Sequence, residues 1–105
     1  MINTRVRLRP EELERFEQDV QNAARKYPEI VRIRHAFDED WDGDPAIYFY
    51  VVLSDDAAKE DRLGEITSRI RDEMPRDLGL TYERFPHFRF RSKAEEDVMR
   101  SPEWS

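Results

Sequence analysis

The chain contains no cysteine, which rules out disulfides, thiolate metal sites and a cysteine nucleophile. That absence fits a reducing cytoplasm, the expected location. Lysine is scarce too, with 3 lysines against 15 arginines. No segment approaches the ~18 consecutive apolar residues of a membrane span. Residues 1–10 alternate instead of running apolar, so no secretory signal is expected there. Histidine occurs twice, at His35 and His87, with no serine, cysteine or carboxylate spaced to form a nucleophilic triad with either.

What is present is charge. Charged residues make up 40% of the 105-residue chain and hydrophobic residues 38%, enough for one domain with an economical two-layer core. The formal net charge of −6 argues against a generic binder of polyanions, although a net value hides distribution.

Ile2, Thr4, Val6 and Leu8 alternate with Asn3, Arg5 and Arg7, which suggests a first strand, although a terminal arm is equally compatible. Pro10 suits a first helical position. Leu13, Phe16, Val20, Ala23 or Ala24, and Tyr27 then recur at helical spacing up to Pro28. Val31, Ile33, His35 and Phe37 alternate with Arg32, Arg34 and Ala36 as a strand. Residues 46–53 are apolar or aromatic throughout and read as a central strand. Ser54-Asp55-Asp56 offers N-cap chemistry for a second helix with the stripe Leu63, Ile66, Ile70 and Met74, ended by Pro75. Residues 78–91 read as a last strand with an edge position or bulge at Pro86. Ser92 and Glu95 have capping-box spacing for a short terminal helix.

The order β-α-β-β-α-β predicts an α+β fold: an antiparallel sheet with two helices on one face, ferredoxin-like (split βαβ) or an αββαβ variant if the first strand is absent. Residues 1–92 form the expected single domain and 93–105 a short helix and tail.

The acidic stretch at 38–44 opens like a calcium loop. Asp38, Asp40, Asp42 and Gly43 match its first half, but position 12, where a bidentate glutamate is needed, is Phe49. These aspartates are therefore weak metal candidates, and a hairpin tip shaped by Gly43 and Pro45 explains them as well. A metal-dependent nucleotidyltransferase-like enzyme using Asp40, Asp42 and Asp44 is an alternative. It lacks the preceding Gly-Ser pair, needs a third carboxylate such as Glu83, and cannot use Asp55 or Asp56, about 25 Å away along the strand.

The sheet face away from the helices gathers Arg5, Arg7, Arg32, Arg34, Tyr48, Tyr50, Arg89 and Arg91. Arginine and tyrosine on such a face can stack bases and hold phosphates, and they equally enrich protein interfaces. Surface strands also tolerate both residues for their β propensity. The negative net charge favours protein docking or self-association over RNA. Trp41, large and apolar at an acidic tip, either folds back on the sheet end or anchors a partner. His35 reads as a core histidine.

Three elements, Trp41-Asp42-Gly43-Asp44-Pro45-Ala46-Ile47, Val51-Val52-Leu53-Ser54-Asp55 and Phe88-Arg89-Phe90-Arg91-Ser92, together with the terminal Glu103-Trp104, resemble a family of small uncharacterised bacterial proteins. That family carries Trp-x-Gly-Asp-Pro-Ala-Ile, Val-Leu-Ser-Asp and Phe-Arg-Ser elements, and the likeness spans roughly residues 30–104. The Ser-Glu-Gln usual after Phe-Arg-Ser is replaced here by Lys93-Ala94-Glu95-Glu96. The resemblance implies a HEPN-like helical protein encoded alongside, in a toxin–antitoxin-like pair, and supplies no catalytic residues. The expected function is accordingly a small regulatory interaction module without activity or cofactor of its own. Its interaction face would comprise Trp41, Asp44, Arg32, Arg34, Tyr48, Tyr50, Arg89 and Arg91.

Overall fold

A computed structural model describes residues 9–80 and 85–104, with the backbone alone at Phe85. The expected strand at 2–8, with Arg5 and Arg7, lies outside these residues, as do Tyr82 and Glu83. Helix α1 spans Pro10–Ala24. Pro10 starts it because proline needs no partner for its missing N–H there, and the Glu12 carboxylate accepts the Arg9 N–H at 3.0 Å. Phe16, Val20, Ala23 and Ala24 turn towards the core, whereas Leu13 stays exposed.

Strands β1 (Ile30–Glu39) and β2 (Pro45–Leu53) form an antiparallel hairpin. Helix α2 (Glu60–Asp77) then crosses to β3 (Phe85–Ser92), giving the sheet order β1-β2-β3. Among the described residues the fold is α+β, with a three-stranded mixed sheet and three helices.

The expectation of an all-antiparallel sheet is corrected by β3, which runs parallel to β2. A helical crossover between β2 and β3 permits this direction. A split βαβ would insert a strand between these two, and their direct pairing from Ala46↔Phe85 to Leu53↔Ser92 leaves no gap. Among the described residues the element order is αββαβ, extended by α3 (Lys93–Met99) and a 3-10 turn (Pro102–Trp104).

Both long helices pack on one sheet face. Ile47, Phe49, Val51 and Leu53 point from β2 into a core closed by Val20 and Tyr27 on one side and Ile66, Ile70 and Met74 on the other. Phe88 stacks on Phe49 at 4.8 Å. No helix among the described residues is long and apolar enough to cross a membrane.

Three local expectations shift. Val31 occupies a bulge between Ile30 and Arg32 and is exposed, so Ile30 takes the inward place. The Ser54 hydroxyl accepts the Ala57 N–H at 3.2 Å in a turn, and α2 begins only at Glu60. Pro75 lies inside α2 instead of ending it, so the helix forgoes the hydrogen bond that an N–H at that position would donate to the carbonyl four residues back.

Candidate functional site

Because side chains alternate across a strand, the two registers place the outward residues in rows. Arg32, Val52 and Arg91 form one row; Arg34, Tyr50 and Arg89 the next; Ala36, Tyr48 and His87 a third. The sequence-derived face is therefore real as a surface for its described members. It is not, however, open along its whole length.

The C-terminal segment covers the first row and reaches Tyr50 of the second. Glu96 of α3 is 4% exposed, and its carboxylate accepts from Arg91 Nη1 at 2.9 Å and Arg32 Nη2 at 3.3 Å. One buried carboxylate thus neutralises two guanidinium groups that flank Val52. Trp104 is 5% exposed. The Arg91 guanidinium lies 4.2 Å over its ring, Tyr50 meets it edge-on at 5.2 Å, and its carbonyl accepts from Arg32 Nε at 2.8 Å. Arg91 also donates to Ser101 Oγ at 3.1 Å. Burial pushes the Tyr50 hydroxyl above its usual pKa, with Arg89 opposing.

Local chemistry sets the segment on this path. Ser92 Oγ accepts the Glu95 N–H at 3.0 Å and Glu95 accepts the Ser92 N–H at 2.9 Å, the expected capping box. The Asp55 carboxylate takes the Ala94 N–H at 2.9 Å. Asp55 and Ser92, from two different sequence elements, therefore meet where α3 begins. Arg100 closes α3 in the left-handed region at φ 46°, a conformation uncommon for a residue with a side chain, and the chain turns back so that Trp104 reaches the sheet.

Beyond Trp104 the surface continues uncovered by this segment. Arg34 and Arg89 are exposed and Tyr48 and His87 half-buried. Tyr48 stacks on His87 at 4.9 Å, Arg89 lies 5.6 Å over the Tyr48 ring, and the Tyr48 hydroxyl donates to the Glu39 carbonyl at 3.3 Å. His87 Nε2 is buried with no hydrogen-bond partner among the described residues.

At the hairpin tip, Asp40 organises the turn. Its Oδ1 accepts the N–H groups of Asp42 and Asp44, each at 2.9 Å, and its own N–H donates to the Asp44 carbonyl at 2.9 Å. Gly43 takes φ 86°, which glycine alone adopts without strain. Asp38 accepts the Glu39 N–H at 2.8 Å. Asp40, Asp42 and Asp44 can bring carboxylate oxygens within 4.8 Å of one another, but Asp42 and Asp44 are exposed and one Asp40 oxygen is committed to the backbone. Trp41 does not fold back on the sheet; it is 92% exposed.

His35 belongs to the core side, edge-on to Phe16 at 4.9 Å. Its Nδ1 lies 3.2 Å from Glu17 Oε1 without hydrogen-bond alignment. Burial holds its pKa below the ordinary 6.5, with Glu17 opposing. Sequence reasoning missed Glu96, Asp55 and Ser101 as site residues; the only signal was the capping-box spacing that fixes α3.

The fold and site define an α+β module whose sheet carries an arginine–tyrosine face strapped by its own C-terminal segment. No family model, no curated protein and no solved structure matches the chain.

Proposed function

We propose that this protein is a small regulatory interaction module that docks a protein partner on the outer sheet face, with no catalysis of its own. One observation carries the reading: the face already holds a peptide segment rich in carboxylate and aromatic character. Arg32 and Arg91 take Glu96, and Tyr50 and Arg91 take Trp104. Arginine and aromatic side chains of this kind dominate binding energy at protein interfaces. The same chemistry continues past the strap as Arg34, Arg89 and Tyr48, with Trp41 exposed at the hairpin tip. Asp44, beside that tip, supplies charge at its rim.

The resemblance noted above makes a HEPN-type helical protein the first partner to try, the present chain being the antitoxin-like half of the pair. Co-expression with the product of the neighbouring gene gives a co-purifying complex under this reading. Separate elution of the two proteins at micromolar concentration defeats it.

RNA binding is the second reading, favoured by the Tyr48–His87 stack beneath Arg89. It requires single-stranded RNA to be retarded at low salt and released by Tyr48→Ala. No retardation at low salt removes it.

A further inference from the structure

We propose that the C-terminal segment, residues 93–104, is a displaceable latch. It holds in cis the Arg32–Arg91 site that an acidic, tryptophan-bearing segment of a partner protein takes in trans. The inference rests on reading the outer sheet face as a docking surface, and it names the row that is the site and the chemistry of its occupant. The segment is lightly seated. In α3 every residue but Glu96 is exposed, and of residues 100–104 only Trp104 is buried. The helix is inside out: its one buried side chain is a carboxylate, while Val98 and Met99 stand 84% and 55% exposed.

Both anchors belong to the site and not to the core. Glu96 meets Arg91 at 2.9 Å and Arg32 at 3.3 Å, and Trp104 lies against the Arg91 guanidinium and edge-on to Tyr50. The core on the opposite sheet face is closed by Phe49, Ile66 and Ile70, and among the described residues it contains neither anchor. Lifting the segment therefore removes Glu96 and Trp104 from Arg32, Tyr50 and Arg91 and leaves that core closed. A helix of seven residues is not stable in water by itself. It keeps its form while Ser92, Asp55 and the two arginines hold it. Such a segment opens and melts as one unit, at a free energy below that of global unfolding.

The contacts define what replaces it. Two guanidinium groups converging on one carboxylate select an acidic residue through charge-assisted hydrogen bonds. A ring held between a guanidinium and a tyrosine edge selects tryptophan, the strongest cation–π partner. Glu95, Asp97 and Glu103 accompany the two anchors in the segment, so the occupant is acidic as a whole. Because the latch is tethered directly to β3, it competes at high effective concentration. A partner displaces it only by adding contacts elsewhere, which makes the latch a filter against weak acidic peptides.

A fluorescently labelled peptide of residues 92–105 is the probe, titrated into full-length protein and followed by anisotropy. Full-length protein carrying Glu96→Gln with Trp104→Ala, whose latch has lost both anchors, is expected to bind it about tenfold or more tighter than wild type, which competes in cis. A peptide with the same two substitutions is expected not to bind. Absence of binding to the unlatched protein overturns the inference, and so does equal binding by wild type. A second measurement leaves both anchors in place. In a Trp41→Phe protein, Trp104 emission is expected to shift to the red at lower urea than the loss of far-ultraviolet circular dichroism. Coincident transitions mean that the segment leaves only on global unfolding, and they overturn the latch. Both experiments use this chain and its own peptide alone, so their failure is distinct from failure to co-elute with a HEPN-type partner.

Discussion

Arg91 donates to the buried carboxylate of Glu96 at 2.9 Å while its guanidinium lies 4.2 Å over the Trp104 ring. One side chain thus ties both α3 and the final turn to the sheet. Arg32 makes the parallel pair of contacts but is more exposed, at 34% against 19% for Arg91. A double-mutant cycle is therefore expected to give a larger coupling for Glu96 with Arg91 than with Arg32. Glu96→Gln costs about 1–3 kcal/mol, below the range for fully buried pairs because Arg32 is partly hydrated. Urea unfolding of the single and double variants measures both quantities.

Trp104→Ala removes the buried ring and is expected to cost about 2–3 kcal/mol. The two tryptophans make this easy to read. With Trp41→Phe, the remaining emission is blue-shifted and poorly quenched by acrylamide. With Trp104→Phe it is red-shifted and strongly quenched, because Trp41 is 92% exposed and Trp104 only 5%.

Burial holds the folded-state pKa of His35 below 6.5, so the unfolded chain binds more protons as pH falls through that value. Stability is fully present above about pH 6.5 and is lost progressively as the pH drops towards the folded pKa. Melting temperatures between about pH 7 and 5.5 are expected to fall for the wild type and to fall less for His35→Leu. Glu17→Gln steepens the loss, since Glu17 opposes the shift.

At the hairpin tip, Asp40→Ala deletes the acceptor for two backbone N–H groups and is expected to cost about 1–2 kcal/mol. Asp40→Asn keeps an acceptor and costs less, and Asp42→Ala is near neutral. If the aspartates instead served a divalent ion, Ca²⁺ or Mg²⁺ would raise the melting temperature and release heat in calorimetry. The turn explanation predicts neither.

The parts of this fold legible in the sequence were those fixed by local periodicity. The alternation of Ile47, Phe49, Val51 and Leu53 against Tyr48, Tyr50 and Val52 reads directly because a central strand has a side-chain period of two. The Ser92–Glu95 capping box reads equally well because all its partners lie within one turn. Non-local choices did not read. The bulge at Val31 depends on how β1 meets β2, and the parallel direction of β3 depends on the α2 crossover. Pro75 resembled a helix end because proline usually is one, yet α2 runs on to Asp77. The arginine–tyrosine face was legible, whereas its strap was not. Glu96 is a charge in a charged helix until Arg32 and Arg91, distant in sequence, converge on it.

The most direct test of the sheet face as a docking surface is co-elution, measured by size-exclusion chromatography with light scattering after co-expression with the proposed HEPN-type partner. Arg34→Glu with Arg89→Glu is expected to abolish the complex, while Arg15→Glu with Arg76→Glu, on the exposed surface of the helices, is expected to leave it intact. A complex that survives reversal on the sheet and is lost on reversal of the helices contradicts the assignment.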